Sequence, residues 1–143
     1  MTAGLCCAAR DASSFPASID RYHADIRGSL AFICGGETVV RLTGHGLGGR
    51  HQELALAAAP GIAGMEGACA FSVGFDGTGG PTDAAGGYVD GETLSRLRDK
   101  DIGLDAALAD SDAYRALLNA GGLIITGATG ANVDDVSVLL IKR

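Results

Sequence analysis

Lysine is scarce in this chain: only Lys100 and Lys142 occur among its 143 residues, and neither lies in a glycine-rich stretch. The pattern G-x-x-x-x-G-K-S/T is absent, so the sequence contains no P-loop. In P-loop enzymes that lysine steadies a phosphoryl group during its transfer. If this chain handles ATP, the lysine must therefore come from elsewhere.

Other shortages argue against further classes of protein. Tryptophan is absent and aromatic residues make up 5%, so the core must be built mainly from Ala, Val, Leu and Ile. No apolar run approaches the ~20 residues that a membrane span needs, and residues 1–10 lack the basic start of a signal peptide. The 11 basic residues are scattered and the net charge is −6, which argues against nucleic acid as a partner. We expect a soluble, cytoplasmic chain.

The four cysteines, Cys6, Cys7, Cys34 and Cys69, show no CxxC spacing and no neighbouring histidine cluster. A zinc site is therefore not expected. Cys34 and Cys69 lie in apolar runs and are predicted to be small core residues. This usage suits a reducing compartment.

The length predicts one domain. Residues 1–28 show no sustained period and are predicted to be a leading arm, disordered in part, before a domain at 29–143. Strands alternating with helices predict an α/β layered domain, and a hairpin of the first two strands makes its sheet mixed, flanked by helices. We predict strands at 29–34, 38–42, 68–73, 123–126 and 136–141, the last two buried on both faces. We predict helices at 50–59, stopped by Pro60, at 92–100, and at 111–119, capped by Ser111.

Glycine is the most informative residue type, because much of its total of 23 falls in four polar segments. These are residues 34–38 (the first segment), 44–53 (the second), 74–86 (the third) and 126–135 (the fourth). Glycine at this density costs folding entropy, so a backbone without side chains must serve a purpose at these places. The usual need is a ligand that approaches backbone N–H groups. Tight turns would explain any one segment, but not four together.

The second segment carries G-x-G-x-x-G at 44–49, after a predicted strand and before a predicted helix. This context is typical of a dinucleotide fingerprint and of an anion site at a helix N-terminus. Arg50 then opposes the helix dipole, and a local rule broken without local gain indicates function. Arg50 could clamp a carboxylate or phosphate, or it could pair with Glu53 or Glu37. His45 and His51 have no nucleophile at elbow spacing and are predicted to be non-catalytic.

In the third segment, Asp76 and Asp83 lie seven residues apart, with Thr82 directly before Asp83. These oxygens could bind Mg²⁺, act as a base or hold substrate hydroxyls. They could equally serve as turn and cap residues.

In the fourth segment, Thr129 and Asn132 supply polar groups among glycines, which suits sugar-like or phosphate oxygens. Asp134 and Asp135 are predicted to solvate a turn.

The four segments, taken together and in this order, resemble the MOFRL domain, the carboxyl-terminal domain of class II glycerate 2-kinases. That family's motifs run close to GGET, GxGxGGRNQE, GTDGxDGPTDAAG and TGPTGTNVND, and the resemblance covers about residues 30–143. It implies transfer of the γ-phosphoryl group of ATP, with Mg²⁺, to the 2-hydroxyl of D-glycerate. The family's active site lies in a cleft shared with an amino-terminal α/β domain, which contributes a catalytic lysine and would bind most of the nucleotide. Some members carry the label hydroxypyruvate reductase.

The motif positions that match supply candidate site residues, whose individual roles are inferred from their chemistry. Catalytic roles are expected for Arg50, Asp76 and Asp83, with Arg50 holding the substrate carboxylate or the phosphoryl group. No metal ligand is assigned. Substrate or phosphate binding is expected for Glu37, Gly46, Gly48, Gly49, Glu53, Thr82, Thr129 and Asn132. Four polar positions depart from the family pattern, which weakens the case for ordinary substrate handling: His51 replaces Asn, Phe75 replaces Thr, Ala131 replaces Thr, and Asp134 replaces Asn.

No counterpart of the amino-terminal domain is visible, and residues 1–28 show no family resemblance. We therefore expect half an active site, inactive without an N-terminal partner domain, and leave open whether the chain alone is an enzyme. An exposed half-interface also predicts self-association. The alternatives are an NAD(P)H-dependent hydroxypyruvate reductase-type module and a non-catalytic binding or assembly module. If the chain is half of a glycerate kinase, its ligand is expected to be a small, glycerate-like anion, with neither nucleic acid nor membrane involved.

Overall fold

The computed structural model describes residues 28–37, 39–131 and 133–142. The leading arm predicted at 1–28 therefore lies outside the described residues, apart from Gly28. Within the described part, no helix has the length and apolar character to cross a membrane. Along the chain the elements are β1 (Leu30–Gly36), α1 (Arg50–Ile62), β2 (Ala68–Gly74), β3 (Gly86–Asp90), α2 (Thr93–Arg98), α3 (Leu104–Ala109), α4 (Ala113–Ala120), β4 (Leu123–Ile124) and β5 (Asp135–Ile141).

The five strands form one sheet in the order β1-β5-β2-β3-β4. The predicted fold class, an α/β layered domain with helices packed on a sheet, is confirmed. The sheet is not purely parallel, as expected, and each of its four neighbouring pairs is antiparallel. Consequently the ends of neighbouring strands alternate along each edge of the sheet.

One face of the sheet packs against the helices and forms the core. On β2 the alternate residues Ala68 and Ala70 are buried, and they join Leu56 of α1 and Leu117 of α4 in a single apolar cluster. The opposite face is more open, and Ile33 on that side is 71% exposed. The prediction that the last two strands are buried on both faces is therefore wrong: the helices of the described residues pack on one side, and Leu140 of β5 is 38% exposed.

The predicted hairpin between residues 29–34 and 38–42 is also wrong. Residues 39–42 are not in a strand, and Thr38 lies outside the described residues. β1 instead pairs with β5 along seven residues, from Leu30 opposite Ile141 to Gly36 opposite Asp135. A long register that aligns apolar residues on a shared face stabilises β1 more than a short hairpin with Arg41 in its second strand would.

The helix predicted to stop at Pro60 continues to Ile62. Proline lacks only the N–H that would donate to the carbonyl of Leu56, and it lies on the exposed side of α1, near its end. The side chain of Ile62 is fully buried in the core, which offsets the lost hydrogen bond.

One further boundary and two short elements differ from the prediction. α4 begins at Ala113, because Ser111 adopts the left-handed region at φ 57° and cannot start the helix as its cap. Instead, the Ser111 hydroxyl accepts a hydrogen bond from the Thr43 amide at 3.2 Å. β3 and α3 were not predicted, because β3 begins with Gly86-Gly87 and α3 is a six-residue helix without a buried residue.

Candidate functional site

The first, third and fourth glycine-rich segments meet at one edge of the sheet. β1 and β2 both end there, at Gly36 and Gly74, and β5 begins there at Asp135. Asp135 is the register partner of both Gly36 and Gly74. The antiparallel order thus brings three segments, remote in sequence, to the same place.

The third and fourth segments are hydrogen-bonded to each other. The amide of Thr129 donates to the carbonyl of Asp76 at 3.1 Å, and the Thr129 hydroxyl donates to the carbonyl of Phe75. Gly77 has φ +82°, and a Cβ there would overlap the carbonyl of Gly127. The predicted ligand-binding hydroxyl of Thr129 therefore holds the two segments together.

Arg50, the first residue of α1, adds the second segment to this edge. Its Nε donates to Oδ2 of Asp135 at 2.7 Å, and its Nη2 donates to Oδ1 at 2.8 Å. This two-point pair raises the pKa of Arg50, and the charges of Glu37 and Asp76 raise it further against the effect of burial. The Arg50 side chain is 38% exposed while that of Asp135 is 3% exposed, so the carboxylate lies beneath the guanidinium. The partner of Arg50 is therefore neither Glu53 nor Glu37, and Asp135 does not merely solvate a turn as predicted.

A buried polar chain continues inward from Asp135. His51 is 1% exposed, and its Nε2 lies 3.3 Å from Oδ1 of Asp135. Its Nδ1 lies 3.3 Å from the hydroxyl oxygen of Ser72, which accepts a hydrogen bond from the Ser137 hydroxyl at 2.9 Å. Burial lowers the pKa of His51, and the charge of Arg50 lowers it further, whereas Asp135 and Asp76 act in the opposite direction.

Because the folded state lowers the pKa of His51, we expect His51 to make stability depend on pH. The contribution is fully present above the unfolded pKa of about 6.5 and is lost as pH falls through that value towards the folded pKa, since the unfolded chain then binds the proton more readily. Urea unfolding between pH 7.5 and 5.5 measures this slope. His51→Gln should flatten it, and equal slopes in both proteins would contradict the assignment.

Backbone amides of the second segment bind carboxylates, but these carboxylates are side chains of the same protein. The amides of His45 and Leu47 donate to the carboxylates of Asp110 and Asp112 at 3.0 and 2.8 Å. The amide of Gly46 donates to the carbonyl of Asp110 at 2.7 Å. The turn between α3 and α4 thus supplies the acceptors for these amides, and the amide of Gly46, a predicted ligand contact, already has a partner within the chain.

Gln52 fastens the third segment to α1. It is fully buried, and its Nε2 donates to the Thr82 hydroxyl at 3.0 Å and to the Ala84 carbonyl at 3.2 Å. The Thr82 hydroxyl donates in turn to the carbonyl of Gly79 at 2.8 Å. A Cβ on Gly49 would lie only 2.7 Å from that carbonyl, so glycine is needed for close packing. The hydroxyl expected to bind substrate at Thr82 is thus already used to order the loop.

The two candidate carboxylates of the third segment have separate partners. Oδ1 of Asp76 accepts from the Thr78 amide at 3.0 Å, while Asp83 is exposed and accepts from the Tyr114 hydroxyl at 2.7 Å, which raises the pKa of Tyr114. Among the described residues, no group of three or more His, Cys, Asp or Glu side chains could hold a metal ion. An Mg²⁺ site formed by this part of the chain alone is therefore not supported.

The remaining candidates take different positions. Glu37 directly follows β1 and is exposed, and Glu53 lies half-buried in the first turn of α1. Gly48 packs beside the start of α4, where a Cβ would lie 3.2 Å from the carbonyl of Ser111. Asn132 lies outside the described residues.

Sequence reasoning missed Asp135 and Ser72 and underrated His51. One signal was available: Asp135 directly precedes the apolar run of β5, and a carboxylate at the start of a buried strand needs a charged partner. No pattern in the sequence reveals that Ser72 and Ser137 face each other across two strands.

The same edge exposes large apolar side chains. Five of those on the surface fall in the connections around Arg50 and Asp135: Val39, Leu42, Phe75, Ile125 and Val133, each between 47% and 76% exposed. The site edge is therefore apolar as well as polar.

Fold and site together define an α/β domain whose glycine-rich loops place a guanidinium group at one edge of an antiparallel sheet. The chain belongs to the MOFRL family, whose model matches residues 30–135. It is 48% identical over 147 residues to the D-glycerate 2-kinase of Thermotoga maritima, and 42% identical over 149 residues to the glycerate 2-kinase of Pyrococcus horikoshii. The crystal structure of the Thermotoga maritima glycerate kinase is similar to this fold, with a TM-score of 0.86 and 47% identity over 94% of this chain and 33% of that one.

The chain spans about a third of the length of these relatives: 35% of the Thermotoga protein and 33% of the Pyrococcus protein. Both alignments cover 99% of this chain, so they include the leading arm. The expectation that residues 1–28 lack family resemblance is therefore wrong.

Proposed function

We propose that this chain is the carboxyl-terminal part of a glycerate 2-kinase, which transfers the γ-phosphoryl group of ATP to the 2-hydroxyl of D-glycerate. The observation that carries the proposal is the two-point pair between Arg50 and Asp135 at the edge where four glycine-rich segments meet. The names of the relatives support the reaction.

Arg50 is the group best placed to meet an anion. Asp135 takes the Nε–H and one N–H of Nη2, which leaves three of the five guanidinium N–H groups for other acceptors. The carboxylate of Asp135, which lies beneath the guanidinium, fixes the plane of that group. A guanidinium held in one plane suits two-point binding of a substrate carboxylate or a phosphoryl group. We assign Arg50 this role, in which it stabilises charge on the group in transfer.

Asp76 is the nearby carboxylate that could act on the substrate hydroxyl. Its charge acts on both Arg50 and His51, and its side chain is only partly exposed. We propose that it accepts the proton of the 2-hydroxyl as a general base. Asp83, which is exposed and accepts a hydrogen bond from Tyr114, remains a proposed catalytic residue. Proposed substrate or phosphate contacts are still Glu37, Gly48, Gly49, Glu53 and Asn132.

The nucleotide is proposed to bind mainly to an amino-terminal domain. The sequence contains no P-loop lysine, and the described residues contain no cluster of metal ligands; we therefore propose that the other domain supplies groups that hold ATP and Mg²⁺. The exposed apolar side chains around Arg50 supply the surface on which that domain would pack. Without it, the same surface favours self-association.

A chimera tests the proposal. This chain replaces the matching third of the Thermotoga maritima D-glycerate 2-kinase, and glycerate-dependent formation of ADP is measured. We expect the chimera to phosphorylate D-glycerate and this chain alone to be inactive. A folded chimera without turnover would favour the non-catalytic assembly module instead.

The reductase alternative is not favoured, because chain carboxylates occupy the amides of the second segment that a dinucleotide would need. We expect no NADPH binding at millimolar concentration in a fluorescence titration.

A further inference from the structure

Two nitrogen atoms from different side chains lie close to one carboxylate oxygen of Asp135. Oδ1 lies 2.8 Å from Nη2 of Arg50 and 3.3 Å from Nε2 of His51, while Oδ2 accepts from Nε of Arg50 at 2.7 Å. A carboxylate can accept several hydrogen bonds, so both residues can bind it at once. Both residues therefore help to set the direction in which the carboxylate points, and with it the direction of the guanidinium.

The hydroxyls behind His51 decide which ring nitrogen carries the proton. Ser137 donates to Ser72 at 2.9 Å, which leaves the single hydroxyl proton of Ser72 to donate to Nδ1 of His51 at 3.3 Å. Nδ1 is then an acceptor, and the neutral ring carries its proton on Nε2, facing Asp135. This arrangement gives each ring nitrogen of His51 a neighbour of the matching kind: a hydroxyl donor at Nδ1 and a carboxylate acceptor at Nε2.

Gly74 makes room for this ring. A Cβ at Gly74 would lie 2.8 Å from Nε2 of His51 and 3.0 Å from Oδ1 of Asp76. The charged groups that act on His51 are Arg50 on its own helix, Asp135 on β5 and Asp76 after β2. Because burial and the charge of Arg50 both oppose protonation of the His51 ring, the packing favours the neutral form of His51.

We infer that His51 is a positioning residue for Arg50: its Nε2–H, set by Ser72, helps to hold the carboxylate of Asp135 in place. The carboxylate in turn orients the guanidinium group of Arg50. The contacts stand by themselves, while their catalytic meaning rests on the proposed function. A residue at this position that lacks an N–H donor would hold the carboxylate paired with Arg50 less firmly.

The test is made by NMR on this chain alone, without ATP or a partner domain, and measures how fast the Arg50 Nε–H exchanges with water. His51→Met removes the donor, and we expect exchange to rise about tenfold, as for the loss of a hydrogen bond to a charged group. His51→Gln keeps an N–H near the position of Nε2, and we expect exchange close to the parent rate. His45→Gln, at an exposed histidine, is the matched control and should change nothing.

The ring nitrogen shifts of His51 should show the Nε2–H tautomer, and Ser72→Ala should shift the population towards Nδ1–H. Ser72→Ala also tests the proposal if His51→Met does not fold. Equal exchange rates in the Met and Gln variants, or an Nδ1–H tautomer in the parent, would overturn it. Because no phosphoryl transfer is measured, an inactive chimera would refute the proposed function and leave this result unaffected.

Discussion

Arg50→Met is expected to lower the rate of glycerate phosphorylation by the chimera about 10³-fold or more, the loss seen when an arginine that stabilises charge in phosphoryl transfer is removed. The pair with Asp135 leaves three N–H groups for the substrate, and methionine offers none. Arg50→Lys keeps the charge but loses the fork, so a large loss should remain. Steady-state kinetics with varied glycerate and ATP measure both effects, and we expect most of the change in kcat.

A stability control must accompany this prediction, because the methionine leaves Asp135 buried with fewer donors. Breaking a buried pair from one side costs up to about 3–5 kcal/mol, and the partial exposure of Arg50 reduces that figure. The double variant Arg50→Met/Asp135→Asn removes the buried charge and should recover much of the loss in urea unfolding. If Arg50→Met and Arg50→Lys turn over at the parent rate, Arg50 has no role in catalysis.

Gly86→Ala is expected to destabilise the fold by about 3 kcal/mol or more, the range of a buried overlap that the backbone cannot relieve. A Cβ at Gly86 would overlap the carbonyl of Ser72 and lie 2.8 Å from Cα of Val73. Both atoms belong to the backbone of β2, which is held between β5 and β3. The strand cannot move aside without breaking one of the two pairings, and Ser72 would shift with it away from His51.

Gly35→Ala is the matched control, since Gly35 also lies in a strand and its nearest contact for a Cβ is the carbonyl of Asp135 at 4.0 Å. We expect its free energy of unfolding to stay within about 1 kcal/mol of the parent value. Urea denaturation of both variants compares them directly. A Gly86→Ala variant as stable as Gly35→Ala would show that β3 can retreat from β2.

The elements that the sequence predicts best are those whose pattern is local. β2 was expected at 68–73 and ends at Gly74, and α1 was expected to begin at Arg50 and does so. The partner of β1 could not be read locally, because its register with β5 joins residues more than 90 positions apart. β3 escaped prediction because Gly86 and Gly87 serve close packing rather than strand propensity.

The site divides in the same way. Residue types alone picked out Arg50, because arginine at a helix N-terminus violates a local rule. They could not reveal Asp135 as its partner, since that contact depends on the sheet order. The second segment shows the limit most clearly: glycine-rich amides do bind carboxylates, but Asp110 and Asp112 come from the turn between α3 and α4. The glycine-rich pattern therefore predicts that an anion is bound, but it does not distinguish a ligand from a carboxylate of the same chain.

The most direct test of the account is the product that the chimera forms from D-glycerate and ATP, identified by ³¹P NMR. We predict phosphate on the 2-hydroxyl with the parent chain and no detectable product with Arg50→Met within the same reaction time. Equal product from both chains, or phosphate on another oxygen, would contradict the claim that this edge of the sheet serves phosphoryl transfer to the 2-hydroxyl.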